Sequence, residues 1–409
     1  MLESYFKAPF TVNRLRAGPA GKYVDGFVER LEREGYSWWT ARRYVRCATH
    51  LGCFLDARGT ALEALDEETL GAFQDHLRCC RCRQANGGTT QDAWRGVRRF
   101  VEYLRDMAVV EGVHTRQAPP LIESFRLWLQ QHRGVAESTL YRYTRGATEL
   151  LDALGNDPKQ YDARSLRTLL LARADSCGIG AAKSLATALR AFLRYLSAQG
   201  ECEPGLEHAI PALAGWRLAA LPQPLAASDV QRMIEACEST SPIGIRNRAI
   251  LLLLVRLGLR AGDVASLGLC DIDWGNGSFL VCGKGRRQVR LPLPQEVGDA
   301  VLRYLKCRPA AVTDRVFVRA RAPFRCLLSS AVSAIVTRAM RRAEVVAPSH
   351  GAHILRHTAA TDMLRQGVSL DAIRAVLRHR SVEMSAYYAK VDLGLLQEIA
   401  QPWPEVLSC

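Results

Sequence analysis

Pro119-Pro120 interrupts a stretch whose first two hundred residues otherwise read as helix, and the hydrophobic pattern on its two sides is nearly the same. On the N-terminal side, Phe27, Val28 and Leu31 share one helical face, and Gly35-Tyr36-Ser37 breaks that helix. A second helix begins at Thr40-Ala41-Arg42-Arg43-Tyr44 and runs to Leu55. A third covers about 66–77, and a fourth runs from Ala93 to Met107 with Val97, Phe100, Val101 and Leu104 at helical spacing. After the two prolines, Phe125 to Leu129 echoes the first helix, Ser138 to Tyr143 echoes Thr40 to Tyr44, and Leu189 to Leu196 echoes Val97 to Leu104. The offsets Phe27/Phe125, Tyr44/Tyr143 and Val97/Leu189 are 98, 99 and 92 residues. Two helical bundles, 1–112 and 119–205, are expected, either as an internal duplication or as two unrelated bundles that share a period.

A second break, Ile210-Pro211 through Pro222-Gln223-Pro224, opens a third domain over 222–409. Ser228-Asp229-Val230 is expected to cap a helix to Cys237, and Arg246 to Leu257 forms a helix whose apolar run from Ile250 to Val255 suits a core. Gly258 ends it, and Arg260 follows just past the helix end. Arg260 reads either as a charge neutralising that terminus or as an anion ligand, and Asp263 either as a cap of the next helix or as support for the arginine. The pattern then changes period. Asp271 to Trp274, Ser278 to Cys282 and Gln288 to Leu293 alternate as strands, the last two joined by Gly283-Lys284-Gly285-Arg286-Arg287. Helices return at Leu327 to Ala343, around His353 to His357, and at Leu370 to Leu377, which delivers His379 ahead of Tyr387-Tyr388.

A chain of 409 residues is too long for one core, and 48% hydrophobic residues suffice for several. The net charge of +14 favours a polyanionic partner such as nucleic acid. Arg42, Arg43, Arg142 and Arg145, with Arg46, fall at equivalent places on the echoing helices, and Arg286 and Arg287 sit in the hairpin turn; all are candidates for gripping backbone phosphates, or solvated faces. No apolar run approaches 18 residues and Met1 to Arg16 lacks a signal-peptide core, so a cytoplasmic protein with no membrane partner is expected. The 13 cysteines then read as reduced thiols. His76, Cys79, Cys80 and Cys82 crowd seven residues, but their spacing fits no two-knuckle zinc pattern, and no metal is assigned.

Only seven lysines occur, so Lys284 between two glycines stands out in a chain that otherwise chooses arginine. Lysine can release a proton near neutral pH when its pKa is lowered, and arginine effectively cannot. His353 and Arg356, three apart, project from one face at the start of a helix, where the dipole favours an anion; His357 lies beside that face.

Arg260, Lys284, His353-x-x-Arg356, His379 and Tyr388 resemble, in order and spacing, the active-site set of the tyrosine recombinase (phage integrase) family. The resemblance covers about 222–409, and 119–205 is similar to the family's core-binding domain. It implies a mainly α chain with a small β-sheet: N-terminal helical (SAM-like) DNA-binding domains, then a mixed α+β catalytic domain. It also implies a metal- and ATP-independent strand transferase without cofactor, in which Arg260 and Arg356 bind the scissile phosphate and Lys284 is the general acid. His353 and His379 would assist, Asp263 and His357 would support, and Tyr388 would attack to give a 3′-phosphotyrosine. Tyr387 is the neighbouring alternative, and spacing from His379 favours Tyr388. Two guanidiniums and a histidine would favour a phenolate at a residue whose ordinary pKa is ~10.

The expected partners are double-stranded DNA, a homo-tetramer on two DNA sites and other recombinases of the same mobile element, for integration, excision or transposition. Two rival functions share the features: type IB topoisomerase-like relaxation, and a non-catalytic DNA-binding regulator. Two departures stand out. Arg378 occupies a position where the family usually has a small residue or glycine, and residues 1–112 extend beyond the minimal two-domain plan.

Overall fold

The computed structural model describes residues 2–80, 90–110, 119–213, 224–237, 240–282, 288–347 and 349–378. By contact, residues 1–112 and 218–409 make one compact unit and 113–217 another.

The first part of the larger unit opens with two short helices, α1 (Leu2–Tyr5) and α2 (Pro9–Ala17), followed by α3 (Gly21–Arg33), α4 (Trp38–Asp56), α5 (Glu67–Cys79) and α6 (Thr90–Asp106). Ser37 caps α4 by accepting the Thr40 N–H, and Asp66 caps α5 by accepting the Thr69 N–H at 2.8 Å. The apolar faces expected from the sequence are buried, Phe27, Val28 and Leu31 on α3 and Val97, Phe100, Val101 and Leu104 on α6, with the Phe27 and Phe100 rings in contact. Arg325 reaches Glu102 at 3.1 Å, joining this bundle to the C-terminal part of the same unit.

The smaller unit holds α7 (Pro120–Arg133), α8 (Glu137–Leu154), α9 (Ala163–Cys177) and α10 (Ile179–Ala198) around one core. Its internal plan matches that of α3 to α6. Phe27, Phe100 and Tyr103 form a ring cluster with Phe27–Phe100 and Phe27–Tyr103 centroids at 5.1 and 5.6 Å. Phe125, Phe192 and Tyr195 form its counterpart at 4.9 and 5.3 Å. A 3₁₀ turn precedes the third helix in each, at Leu62–Ala64 and Pro158–Gln160. Asp162 caps α9 as Asp66 caps α5, accepting the Ser165 N–H at 2.8 Å.

The C-terminal part of the larger unit is built on α12 (Pro242–Leu257), preceded by α11 (Ala227–Glu235) and followed by α13 (Ala261–Ser266). Ile250 to Leu254 are at most 1% exposed, so this stretch of α12 is buried on all sides. The strands β1 (Ile272–Asp273), β2 (Ser278–Cys282) and β3 (Gln288–Pro292) form an antiparallel sheet in that order. Phe279 pairs with Leu291 and Val281 with Val289, so alternate residues face the core. α14 (Gln295–Cys307) packs on α12, and α15 (Ser329–Arg342), α16 (Ala352–Arg365) and α17 (Leu370–Leu377) complete the described part. The expected mainly helical fold with a small sheet is what forms. Among the described residues no helix is long and apolar enough to cross a membrane.

Candidate nucleic-acid cleavage site

α12 stops because Gly258 adopts φ +56°, the left-handed conformation that costs other residues roughly 1–2 kcal/mol. Leu259 then drops into the core and Arg260 becomes the N-cap of α13. Asp263, in the first turn of α13, reaches back to accept the Arg260 N–H at 2.9 Å, so it does fasten the start of that helix. The Arg260 side chain leaves in the other direction, its Nη2 donating to the Arg378 carbonyl at 3.2 Å.

Arg356 comes to the same place from α16. It is 2% exposed, and its Nη1 donates to the Gly258 carbonyl at 2.6 Å while Nη2 donates to the Leu377 carbonyl. Arg260 and Arg356 therefore hold two successive carbonyls, Arg378 and Leu377, at the C-terminal end of α17. That end carries the partial negative charge of the helix dipole, which helps keep two guanidiniums close together.

His353 lies one turn before Arg356 on the exposed side of α16. Its ring meets that of His357 at 4.4 Å between centroids, nearly edge-on. Loss of hydration and then the charges of Arg356 and Arg260 lower the His353 pKa. Burial, His353 and Arg356 pull His357 down to about 4. Both imidazoles are therefore neutral at pH 7. Spacing placed His353 and Arg356 on one face; in the fold the arginine turns inward to main-chain carbonyls and the histidine stays at the surface.

Arg378, the departure from the family pattern, takes φ +55° at the end of α17. A glycine there would meet no strain, which gives a physical reason for a small residue. The arginine side chain folds inward, and Nη2 pairs with Asp263 Oδ2 while Nε and Nη1 are buried with no hydrogen-bond partner among the described residues. Asp263 thus joins the start of α13 to the end of α17.

Lys284, His379 and Tyr388 lie outside the described residues, as do Tyr387, Arg286 and Arg287. Of the other arginine candidates, Arg142 and Arg145 are exposed on α8. Arg42 instead stacks over Phe6 and Trp38 at 5.1 and 5.0 Å, Arg46 over Phe6 at 5.7 Å, and Arg43 pairs with Asp92 at 3.3 Å. Equivalent positions in the two bundles thus have different surroundings.

Three parts of the chain, the α12–α13 turn, α16 and the end of α17, bring two arginines and a histidine together. Arg260 is partly exposed and can offer its guanidinium to a tetrahedral anion, while the fork of buried Arg356 is taken by main-chain carbonyls and adds positive charge behind it.

The family model described as "Phage integrase family" matches residues 223–393. The chain is 33% identical over 414 residues to the putative integrase/recombinase y4rA of Sinorhizobium fredii, with 98% of this chain and 99% of that protein covered. It is 30% identical to the tyrosine recombinase XerC of Rhodospirillum centenum, covering 67% of this chain and 84% of that one. The crystal structure of the XerH site-specific recombinase bound to a palindromic difH substrate, a post-cleavage complex, superposes with a TM-score of 0.53 at 18% identity, over 82% of this chain and 95% of that one. The fold matches that structure, and with the full-length relative at 33% identity the chain belongs to the phage integrase, or tyrosine recombinase, family.

Proposed function

We propose that the protein is a site-specific DNA recombinase that cuts and rejoins strands through a 3′-phosphotyrosine at Tyr388. The observation that carries this reading is the convergence of Arg260 and Arg356 on the carbonyls of Arg378 and Leu377, beside His353. Arg260 binds the non-bridging oxygens of the scissile phosphate with the positive charge of Arg356 behind it, and neutral His353 accepts or donates a hydrogen bond as charge moves. Attack by the Tyr388 oxygen forms the phosphotyrosine bond and breaks the bond to the leaving 5′ oxygen. Lys284 gives that oxygen its proton, and His379 assists. The covalent bond retains the energy for rejoining, so neither ATP nor a metal enters the cycle.

Residues 1–112 and 119–205 are read as duplicated helical units, on the strength of the matching ring clusters and matching aspartate caps. Both grip duplex DNA, the second through the exposed Arg142 and Arg145. A homo-tetramer on two sites, acting in integration, excision or transposition of a mobile element, completes the proposal. The test is covalent trapping on a nicked suicide substrate built from DNA flanking the gene. The wild-type chain should form an adduct and Tyr388→Phe should not; an adduct with the phenylalanine variant sinks the assignment. Relaxation of supercoiled plasmid without any specific site would favour the topoisomerase-like activity instead.

A further inference from the structure

The N-terminal bundle contains a group of side chains that DNA cleavage does not use. We propose that His50, His76 and Cys80 form a metal site that takes a zinc-like divalent ion when Cys80 is reduced. His76 lies in the last turn of α5, and Cys80, four residues on, is the C-cap just past its end. His50, 5% exposed, comes from the middle of α4. His50 Nε2 lies 3.2 Å from His76 Nε2 and 3.5 Å from Cys80 Sγ, and the three donor atoms all lie within 4.8 Å of one another. A tetrahedral ion with bonds of ~2.0–2.1 Å to nitrogen and ~2.3 Å to sulfur holds its donors roughly 3.3–3.6 Å apart. The two separations from His50 are therefore already close to what such an ion requires, and the third pair, His76 and Cys80, lies within 4.8 Å.

The surroundings support the same reading. Phe73 packs edge-on to His50 at 5.2 Å and Phe54 lies 5.0 Å from the His76 ring, so apolar walls fix both imidazoles. Two nitrogens and a sulfur suit zinc or cobalt rather than magnesium or calcium, which prefer oxygen. The sequence cluster around Cys79 named only residues near His76. His50 was missed because it is 26 positions away, with no local spacing to mark it. Cys82, also in that cluster, lies outside the described residues.

Cys80 is disulfide-bonded in this structure, so the site belongs to the reduced protein. A thiol reductant such as glutathione supplies two electrons and two protons, cleaving the S–S bond to give two thiols and becoming a disulfide itself. Metal binding then releases the Cys80 proton to solvent and forms the metal–sulfur bond. The ion would tie the end of α5 to α4.

The test uses the full chain, reduced with a phosphine, stripped of metal and titrated with Co²⁺ and then Zn²⁺. One equivalent of Co²⁺ should give the visible bands of a tetrahedral ion and a thiolate charge-transfer band, and Zn²⁺ should displace it. His76→Asn and Cys80→Ser should each weaken binding more than the ~10–100-fold typical of losing an outer hydrogen-bond partner. Circular dichroism reports whether each variant is folded, and a folded one of the pair suffices. Unchanged affinity and spectrum in a folded variant would overturn the site. So would a Cys80 disulfide that survives glutathione at a cytosolic ratio. Neither result depends on DNA cleavage.

Discussion

Arg378 and Asp263 form an ion pair between the end of α17 and the start of α13, with their side chains only 7% and 8% exposed. Removing one partner of a buried pair strands the other charge, at a cost of about 3–5 kcal/mol. Asp263→Ala should therefore be strongly destabilising in urea unfolding, since it also removes the acceptor of the Arg260 N–H. Arg378→Gly should cost less. It relieves a left-handed backbone worth about 1–2 kcal/mol and leaves Asp263 bonded to that N–H. Equal losses in the two variants would show that the pair does not carry the junction.

Arg356 acts on the same junction from below. Lysine in its place keeps the charge but lacks the planar fork that reaches both the Gly258 and the Leu377 carbonyl. Leaving one buried carbonyl unpaired costs about 1–3 kcal/mol. Arg356→Lys is expected to lose moderate stability, and covalent adduct formation should fall on the order of 10²–10³-fold, as for loss of one preorganised donor. A lysine variant that cleaves at the wild-type rate would rule out a fork-dependent role.

Much of this was legible in the sequence, and the parts that were not share a cause. Leu370–Leu377 was expected and forms with those limits, because Ser369 caps it and Ile373 and Leu377 mark its buried face. The strands fall within a residue or two of their expected ends, since alternation is a local signal. Ser228-Asp229 was expected to cap α11, yet the cap is Ala226 with no side-chain bond, and the two polar residues sit inside the first turn. Gln295–Cys307 was not anticipated, although Pro294 and the spacing of Val297, Val301 and Tyr304 marked it. Depth was the hardest quantity to read. Nothing in His353-x-x-Arg356 says that the arginine is buried and the histidine exposed, because that follows from where Gly258 and Leu377 lie.

The histidines make stability depend on pH. An unfolded histidine titrates at ~6.5, whereas folded His357 titrates at about 4. Below pH 6.5 the unfolded chain thus binds a proton that the folded one excludes, and protons favour unfolding. The stability of His357 in its neutral form is fully present above pH 6.5 and is lost as pH falls to about 4, where the curve levels off. His50, also at about 4, adds a parallel loss in metal-free protein. Denaturation midpoints from pH 7.5 to 4 should decline, and His357→Gln should flatten part of that decline. An unchanged slope would mean that His357 has the same pKa in the folded and the unfolded chain.

The two bundles also make a packing prediction. At the α4–α6 contact the glycine is Gly96 on α6, and a Cβ there would come within 3.0 Å of Cys47 Cβ and 2.9 Å of Tyr44. At the equivalent α8–α10 contact the glycine is on the other helix, Gly146 on α8, where a Cβ would lie 2.5 Å from Ala188 Cβ. Each crossing thus has room for one side chain and not two. Gly146→Ala should overpack and cost about 1–3 kcal/mol. Ala188→Gly alone should cost about 1 kcal/mol as a helix-interior glycine. Combining them moves the glycine to α10, the arrangement the first bundle already uses, so the double variant should recover most of the Gly146→Ala loss. Thermal unfolding of the four proteins gives the coupling directly, and strict additivity would mean that the two crossings are not equivalent.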